Sequence, residues 1–337
     1  MENDVLLEVR DVCKYFPVTR GLLKRKIGDV KAVDHVSLTV HSGETLGIVG
    51  ESGCGKTTLG RCIVRLNPLT EGQIFVCDDN GDLQDIHGLN RQESFRLRKK
   101  VQIVFQDPYA SLNPSKNILS AFDEPLRIHG VKNREERLKI AADMMKAVNL
   151  SPEYLYRYPH EFSGGQRQRI CIAKALALNP SLIVCDEPVS ALDVSIQAQI
   201  MNLMRDLQQQ YHLTYLFIAH DISVVKYMSD RIAVMYLGKV VEMADSEMIT
   251  QNCQHPYTKE LMAAVPIPRL GVRKKHASLT GDVPSPMNPP SGCRFHPRCT
   301  YCTDICRERE PELKEIPGQP GHYCACHLVS SFPETDV

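Results

Sequence analysis

The chain has 337 residues, enough for one large α/β domain with a smaller companion and a sizeable buried core, and too few for two domains of that size. Lysine plus arginine and aspartate plus glutamate each total 40, so the formal charge is zero and no global field draws the chain to nucleic acid or to an anionic surface. The N-terminus, Met1 to Asp4, is acidic, and no apolar run reaches the roughly 18 residues of a membrane helix, which predicts neither signal peptide nor spanning segment and a chain kept in the cytosol.

From residue 5 to about 266, short β-branched runs alternate with helical stretches, the pattern of an α/β domain with helices covering a mainly parallel sheet. Residues 45–49, 101–105, 182–185 and 214–218 read as buried strands. The stretch from about 107 to 165 has no strong strand, and residues 134–150 carry apolar side chains at helical spacing, so it reads as a helical subdomain inserted into the core. After Pro266 the composition turns to Pro, Gly, Ser and Cys, with Pro284, Pro286, Pro289 and Pro290 close together. The expected division is therefore an α/β domain over 1–266 and a small extension over 267–337. Internal repeats and coiled-coil heptads are absent, so one such domain is expected and not a tandem pair.

Thirteen cysteines in a large chain without a secretion signal predict buried thiols and metal ligands, not disulfides. Seven are scattered singly between 13 and 253, several inside apolar runs, as small core residues would be. Six crowd between Cys293 and Cys326.

Two motifs carry chemistry on their own residues. Gly50-Glu51-Ser52-Gly53-Cys54-Gly55-Lys56-Thr57-Thr58 fits the G-x-x-x-x-G-K-[ST] phosphate loop, placed after an apolar strand and before a helical run as that motif requires. Its glycines let backbone N–H groups turn toward phosphates, Lys56 reaches the β and γ phosphates, and the Thr57 hydroxyl suits Mg²⁺. Leu182-Ile183-Val184-Cys185-Asp186-Glu187 is an apolar strand ending in two carboxylates at the edge where nucleotides bind in open parallel sheets. Asp186 is expected to hold Mg²⁺ and Glu187 to orient and deprotonate the attacking water.

Phe162-Ser163-Gly164-Gly165-Gln166-Arg167-Gln168-Arg169, lying between these motifs, resembles the signature sequence of ABC ATPases. That resemblance implies the P-loop ABC ATPase fold, with 1–266 its nucleotide-binding domain, and two such domains closing together on ATP. It implies that Ser163, Gly164, Gly165 and Gln166 cap the γ-phosphate held by the other subunit, although Phe162 stands where many members have Leu. Gln106 is similar to the Q-loop glutamine, which senses the γ-phosphate and its Mg²⁺, and His220 to the switch histidine. Asp193 resembles the D-loop residue at the dimer interface. Tyr15 and Phe16 sit where the family places the adenine-stacking aromatic; Phe16 fits better by spacing, and the adjacent pair leaves both open.

Residues 106–114, 158–163 and 255–261 resemble the ATPases of oligopeptide and dipeptide importers, a group that includes nickel and glutathione systems. The loop with Cys54 and the run from Glu187 to Val194 resemble the second, F-type ATPase of such systems. The resemblance implies a related D-type ATPase subunit as heterodimer partner, two transmembrane permeases, an extracytoplasmic binding protein, and a peripheral place on the cytoplasmic face of the membrane. It further implies that Cys293, Cys299, Cys306 and Cys326 hold a [4Fe–4S] cluster, as known in some members. Cys302 and Cys324 are extra cysteines that leave Zn²⁺ and metal-free thiols as alternatives. A soluble ABC ATPase acting on nucleic acid is a different class, disfavoured by neutral charge and by the lack of aromatic and basic interleaving. A non-hydrolytic subunit would need a defective pocket, and Lys56, Asp186, Glu187 and His220 are all present.

Overall fold

The structure is a computed structural model and describes residues 4–21, 25–264 and 282–329. In chain order, strands β1 (Val5–Arg20), β2 (Arg25–His41) and β3 (Thr45–Val49) lead into helix α1 (Lys56–Ile63). Strands β4 (Glu71–Cys77) and β5 (Leu83–Asp85), helix α2 (Arg91–Lys100) and strand β6 (Val101–Val104) come next. A helical run of α3 (Pro108–Ser111), α4 (Ile118–Ile128), α5 (Arg134–Ala147) and α6 (Gly164–Leu176) follows. Then come β7 (Leu182–Asp186), α7 (Val194–Tyr211), β8 (Thr214–Ile218), α8 (Ile222–Met228), β9 (Arg231–Tyr236), β10 (Lys239–Asp245), α9 (Ser246–Asn252) and α10 (Pro256–Ala263). The cysteine-rich extension adds α11 (Asp304–Glu308), β11 (Lys314–Ile316) and β12 (Gln319–Cys324). The first residues of the linker expected after Pro266 lie outside the described residues. Among the described residues, no helix is long and apolar enough to cross a membrane.

The chain divides into two compact units. The first takes residues 76–218 with the short pieces 4–6 and 40–45. In it β6, β7 and β8 run parallel, with Val101 opposite Leu182 and Asp186 opposite Ile218. Strands β7 and β8 are buried at every position, which is why both are continuous apolar runs without alternation. The predicted helical insertion is present as α3 to α6. Phe122 of α4 and Met145 of α5 are fully enclosed there. Arg137 ties α5 to α4 by donating to Asp123 Oδ1 at 2.6 Å and to the carbonyls of Val131 and Lys132 at 2.9 and 2.8 Å, so its buried guanidinium is hydrogen-bonded. Helix α5 stops at Ala147, three residues before the predicted end at Leu150. Asn149 adopts φ 58, and the N–H groups of Asn149 and Leu150 return to the carbonyls of Lys146 and Met145, both at 2.9 Å, a Schellman closure.

The second unit takes residues 7–39, 46–75 and the chain from 219 onward. One sheet here has the order β2-β1-β4, and another the order β11-β12-β10-β9-β3. Strands β3 and β9 are parallel, but β9–β10, β10–β12 and β11–β12 are antiparallel, so this sheet is less parallel than the sequence pattern suggests. The cause is the extension: β12 pairs with β10, Cys324 opposite Glu242 and Tyr323 opposite Met243, and so continues the sheet.

Buried groups fasten the extension in place. Phe295 is enclosed between Tyr236 of β9 and Tyr257 of α10, with ring centroids 5.3 and 5.5 Å away. Glu242 is fully buried; it accepts the N–H groups of Gln254 and His255 at 2.5 and 3.0 Å, and His322 Nε2 of β12 lies 2.8 Å from its Oε1. His255 caps α10, its Nδ1 accepting the Tyr257 N–H at 3.1 Å. Burial pushes the His255 pKa down to about 4, although the Glu242 carboxylate pulls it up.

An imidazole that protonates near 6.5 when unfolded and near 4 when folded makes the unfolded state the better proton acceptor between those values, so stability falls as pH drops through that window. His255→Asn keeps an acceptor at the cap and removes the titration. Relative to the variant, the wild type is expected to lose about 2 kcal/mol between pH 7 and pH 5 in chemical denaturation. A difference that stays constant with pH would show that His255 does not titrate in the unfolding reaction.

Candidate nucleotide-binding site

In the second unit the phosphate loop runs from Gly50 to Gly55 between β3, buried throughout, and α1. A Cβ on Gly50 would overlap the Met235 carbonyl oxygen, and one on Gly55, at φ 108, would overlap that of Ala32, so neither position admits a side chain. Gly55 is the N-cap of α1, in a left-handed conformation, and offers its first turn no side-chain acceptor. Lys56 is buried; its Nζ donates to the Gly50 carbonyl at 2.7 Å and the Glu51 carbonyl at 3.0 Å, and lies 3.7 Å from Cys54 Sγ. Burial pushes the Cys54 thiol up, so Cys54 is a neutral packing group. Ser52 and Gly53 are exposed at the tip, with Thr57 and Thr58 half-buried on α1. His220 is exposed just beyond β8, before Asp221, which caps α8 by accepting the Ser223 N–H at 2.8 Å.

The adjacent aromatics of β1 take different roles. The Tyr15 hydroxyl bonds the buried carboxylate of Asp34, whereas Phe16 is 38% exposed with the Lys14 ammonium 4.9 Å from its ring centre. Tyr15 is thus engaged in the fold and Phe16 is the ring left open to a ligand. Cys13, Asp34 and His35 are the one set of three potential metal ligands, among the described residues, whose donor atoms lie within 4.8 Å of one another. Arg294 and Lys239 already face Asp34. Burial raises the Asp34 carboxyl pKa, but the Tyr15 hydroxyl, Arg294, Lys239 and Lys31 outweigh it and hold the pKa below its ordinary value, which makes the set an ion-pair node and not a cation site.

In the first unit β7 ends at Asp186, only 3% exposed, an oxygen donor of the kind Mg²⁺ takes. Glu187 follows at φ 49, a left-handed conformation unusual outside glycine and concentrated at functional sites. Its N–H is held by the Ile218 carbonyl at 2.9 Å, and its Oε2 accepts from Gln106 Nε2 at 3.0 Å. Gln106 and Glu187, 81 positions apart, therefore meet directly.

The signature segment in the same unit is a helix start. Ser163 and Gln166 form a reciprocal capping box, the Gln166 N–H donating to Ser163 Oγ at 3.3 Å and the Ser163 N–H to Gln166 Oε1 at 3.0 Å. This Ser-x-x-Gln pattern was available in the sequence and carries a structural role that the ligand-based reading passed over. Gly164 and Gly165 admit α7: a Cβ on Gly165 would lie 2.6 Å from Ile196 Cγ2. Phe162 is buried and packs edge-on against Tyr154 at 5.6 Å, so the departure from Leu is absorbed inside the unit. Asp193 is exposed at the start of α7 and makes no capping bond there.

In the extension the thiols of Cys293, Cys299, Cys306 and Cys326 sit close enough to repel one another as thiolates. Burial first, then Cys326, Cys306 and Cys299, push Cys293 up to about 12; burial, then Cys326, Cys306 and Cys302, push Cys299 to about 11. The Leu328 N–H donates to Cys326 Sγ at 3.5 Å, and Thr303 Oγ1 and Cys306 Sγ share a hydrogen bond at 3.4 Å. Cys324 is buried on β12 opposite Glu242, and burial followed by that carboxylate raises its pKa well above the ordinary value.

A buried strand, a glycine-rich phosphate loop and a capped Ser-Gly-Gly-Gln helix define an ABC-type ATPase. The ABC transporter family model matches residues 33–190, and the model described as oligopeptide/dipeptide transporter, C-terminal region, matches residues 241–306. The chain is 53% identical over 331 residues to the oligopeptide transport ATP-binding protein AppF of Bacillus subtilis (strain 168), covering 97% of this chain and 98% of that one. It is 49% identical over 328 residues to the dipeptide transport ATP-binding protein DppF of Haemophilus influenzae, covering 97% and 98%. A dimeric post-hydrolysis structure of the ATP-binding cassette MJ0796 bound to ADP and Pi superposes with a TM-score of 0.61 at 31% identity, over 72% of this chain and 99% of that one. The chain belongs to the ATP-binding proteins of the oligopeptide/dipeptide ABC transporter family.

Ser163→Ala removes one arm of the capping box and is expected to lower the stability of the purified chain by about 1 kcal/mol, while Ser163→Thr keeps most of it. Urea unfolding measures both. Equal midpoints for wild type and alanine variant would mean the box contributes nothing.

Proposed function

We propose that this chain binds and hydrolyses ATP as the F-type motor subunit of a di- or oligopeptide importer, peripheral to the cytoplasmic face of the membrane. Its partners are a related D-type ATPase subunit, two transmembrane permeases and an extracytoplasmic binding protein. Residues 1–266 are its nucleotide-binding domain and 267–337 its extension. The observation that carries the reading is Glu187, held in a strained backbone conformation at the end of a buried strand and hydrogen-bonded to Gln106.

In this reading Phe16 stacks on adenine. The backbone of Gly50 and of Ser52 to Thr58 cradles the phosphates, and Lys56 exchanges its loop carbonyls for phosphate oxygens. Thr57, Asp186 and Gln106 would hold Mg²⁺ through their side-chain oxygens, and the ion would supply positive charge against the polyphosphate. Glu187 accepts a proton from water as the water oxygen attacks the γ-phosphorus; the bond to the bridging oxygen breaks, and ADP and phosphate leave. His220 braces that water. Ser163, Gly164, Gly165 and Gln166 cap the γ-phosphate of the partner subunit's nucleotide, and Asp193 lies across that interface. ATP then acts as a clamp, drawing the subunits together until hydrolysis lets them part.

Cys293, Cys299, Cys306 and Cys326 suit a [4Fe–4S] cluster: four thiols, with the Leu328 N–H aimed at Cys326 and the Thr303 hydroxyl beside Cys306. Bound, it cross-links four points of the extension and supplies a redox couple. Zinc is the runner-up, since tetrahedral sites with Zn–S near 2.3 Å need sulfurs closer than about 4 Å, and no three of these thiols lie within 4.8 Å of one another. Iron, acid-labile sulfide and zinc measured on the anaerobically purified chain decide between them: about four irons per chain is expected. Stoichiometric zinc without sulfide would replace the cluster.

ATP turnover of the reconstituted complex, with the binding protein loaded in turn with dipeptides, oligopeptides or nickel, tests the motor and its cargo together. Peptide is expected to stimulate, and Glu187→Gln to lower turnover at least ~100-fold while leaving ATP bound in a closed dimer. Unchanged turnover in the variant would sink the role of Glu187. Stimulation by nickel alone, or by none of the three, would keep an ATPase and reject the peptide.

A further inference from the structure

Arg298 stands directly before Cys299, and its guanidinium reaches out of the extension to the phosphate loop. Nη1 donates to Glu51 Oε2 at 2.8 Å and Nη2 to Glu51 Oε1 at 3.0 Å, a bidentate pair, and Nη1 lies 3.3 Å from the Tyr236 hydroxyl. The arginine side chain is only 3% exposed, and the glutamate 21%. Glu51 is itself a loop residue, and its main chain is fully used. Its N–H donates to the Tyr257 hydroxyl at 2.9 Å, and its carbonyl accepts from Lys56 Nζ at 3.0 Å and from the Cys54 N–H at 3.3 Å. One residue thus holds the extension by its side chain and the phosphate-seeking lysine by its backbone. The platform beneath is rigid, because Tyr236, Tyr257 and Phe295 pack with centroids 4.7 to 5.5 Å apart.

We propose that Arg298 is a positioning residue for nucleotide binding: through Glu51 it holds the phosphate loop ready, so that the cysteine-rich extension sets the chain's affinity for ATP. The proposal rests on the reading of residues 50–58 as the ATP phosphate loop. Two effects act in the same direction. A loop already ordered loses less entropy when phosphate arrives. A carboxylate bound in two places by a guanidinium is also neutralised, whereas a free one beside the loop repels a polyphosphate. The planar fork of arginine is required for the bidentate contact, and a lysine supplies only a point charge.

The test is equilibrium titration of the full chain with ATP, ADP and adenosine. Arg298→Ala is expected to weaken ATP and ADP about 10-fold and to leave adenosine unchanged, with Arg298→Lys in between. The double variant Glu51→Gln/Arg298→Ala is expected to bind ATP no more weakly than Arg298→Ala, since the freed carboxylate is gone. Wild-type ATP affinity in Arg298→Ala, an equal loss for adenosine, or additive losses in the double variant would each overturn the proposal. Should Arg298→Ala fail to fold, Glu51→Gln/Arg298→Met keeps the volume and removes the Glu51 charge together with that of its partner; wild-type ATP affinity there would overturn it as well. Lys56→Ala separates the two levels: if it binds ATP as the wild type does, the loop itself has been misread, whereas loss of ATP there with full affinity in Arg298→Ala rejects Arg298 alone.

Discussion

The phosphate loop can exist only where backbone passes backbone with no side chain between. The Met235 and Ala32 carbonyls occupy the space that a Cβ on Gly50 or Gly55 would need, so the loop is moulded against its neighbours. That closeness follows from strand register. β9 runs parallel to β3 with Val234 opposite Val49, which delivers Met235 to the start of the loop. The turn after β9 then stitches the parts together: the Gly238 N–H donates to the Cys54 carbonyl, and the Asp34 N–H to the Gly238 carbonyl, both at 2.8 Å. A loop tied by a main-chain bond to the turn after β9, itself tied to β2, is ordered before any nucleotide arrives, which is the condition for tight anion binding without a large ordering cost.

The same unit keeps three acids with little contact to water, and each finds a cationic or protonatable partner in the extension: Asp34 with Arg294, Glu51 with Arg298, Glu242 with His322. Ion pairs of this kind add little net stability compared with apolar packing, but losing one partner strands a charge and costs about 3–5 kcal/mol. The extension thus supplies a partner to each of these acids in the unit that carries the phosphate loop. Aromatic packing around Phe295 and the pairing of β12 with β10 supply the non-ionic part of the joint.

Much of this was legible in the residues. β3 and β8 begin and end where their apolar runs do, because strands buried on both faces have no polar positions to blur them. The turn from β3 to α1 and the strand end at Asp186 also lie where the two motifs put them. β12, Gln319-Pro320-Gly321-His322-Tyr323-Cys324, lies in the Pro-, Gly- and Cys-rich extension, for which no strand was expected; it is a strand because β10 offers it an edge, which no local propensity reports. The left-handed Glu187 and the contact from Arg298 to Glu51 were hidden for a related reason, being set by groups far away in the chain. The end expected for α5 lies past the real one because a single Asn149 reverses the backbone while the apolar spacing continues beyond it.

Sequence distance gives the ion pairs a further meaning. Arg294 meets Asp34 across 260 positions and Arg298 meets Glu51 across 247, whereas most of the first unit is one stretch of chain, residues 76–218. On the ribosome that stretch emerges whole and can fold while translation continues. The unit with the phosphate loop must wait, its early strands made first and its arginines last. Throughout that interval β10 presents an open edge, Glu51 lacks its guanidinium, and Asp34 and Glu242 have only part of their partners, the condition in which a nascent chain depends most on chaperones and is most exposed to wrong pairing. The segment made last therefore decides when the ATP-binding half becomes a folded object at all.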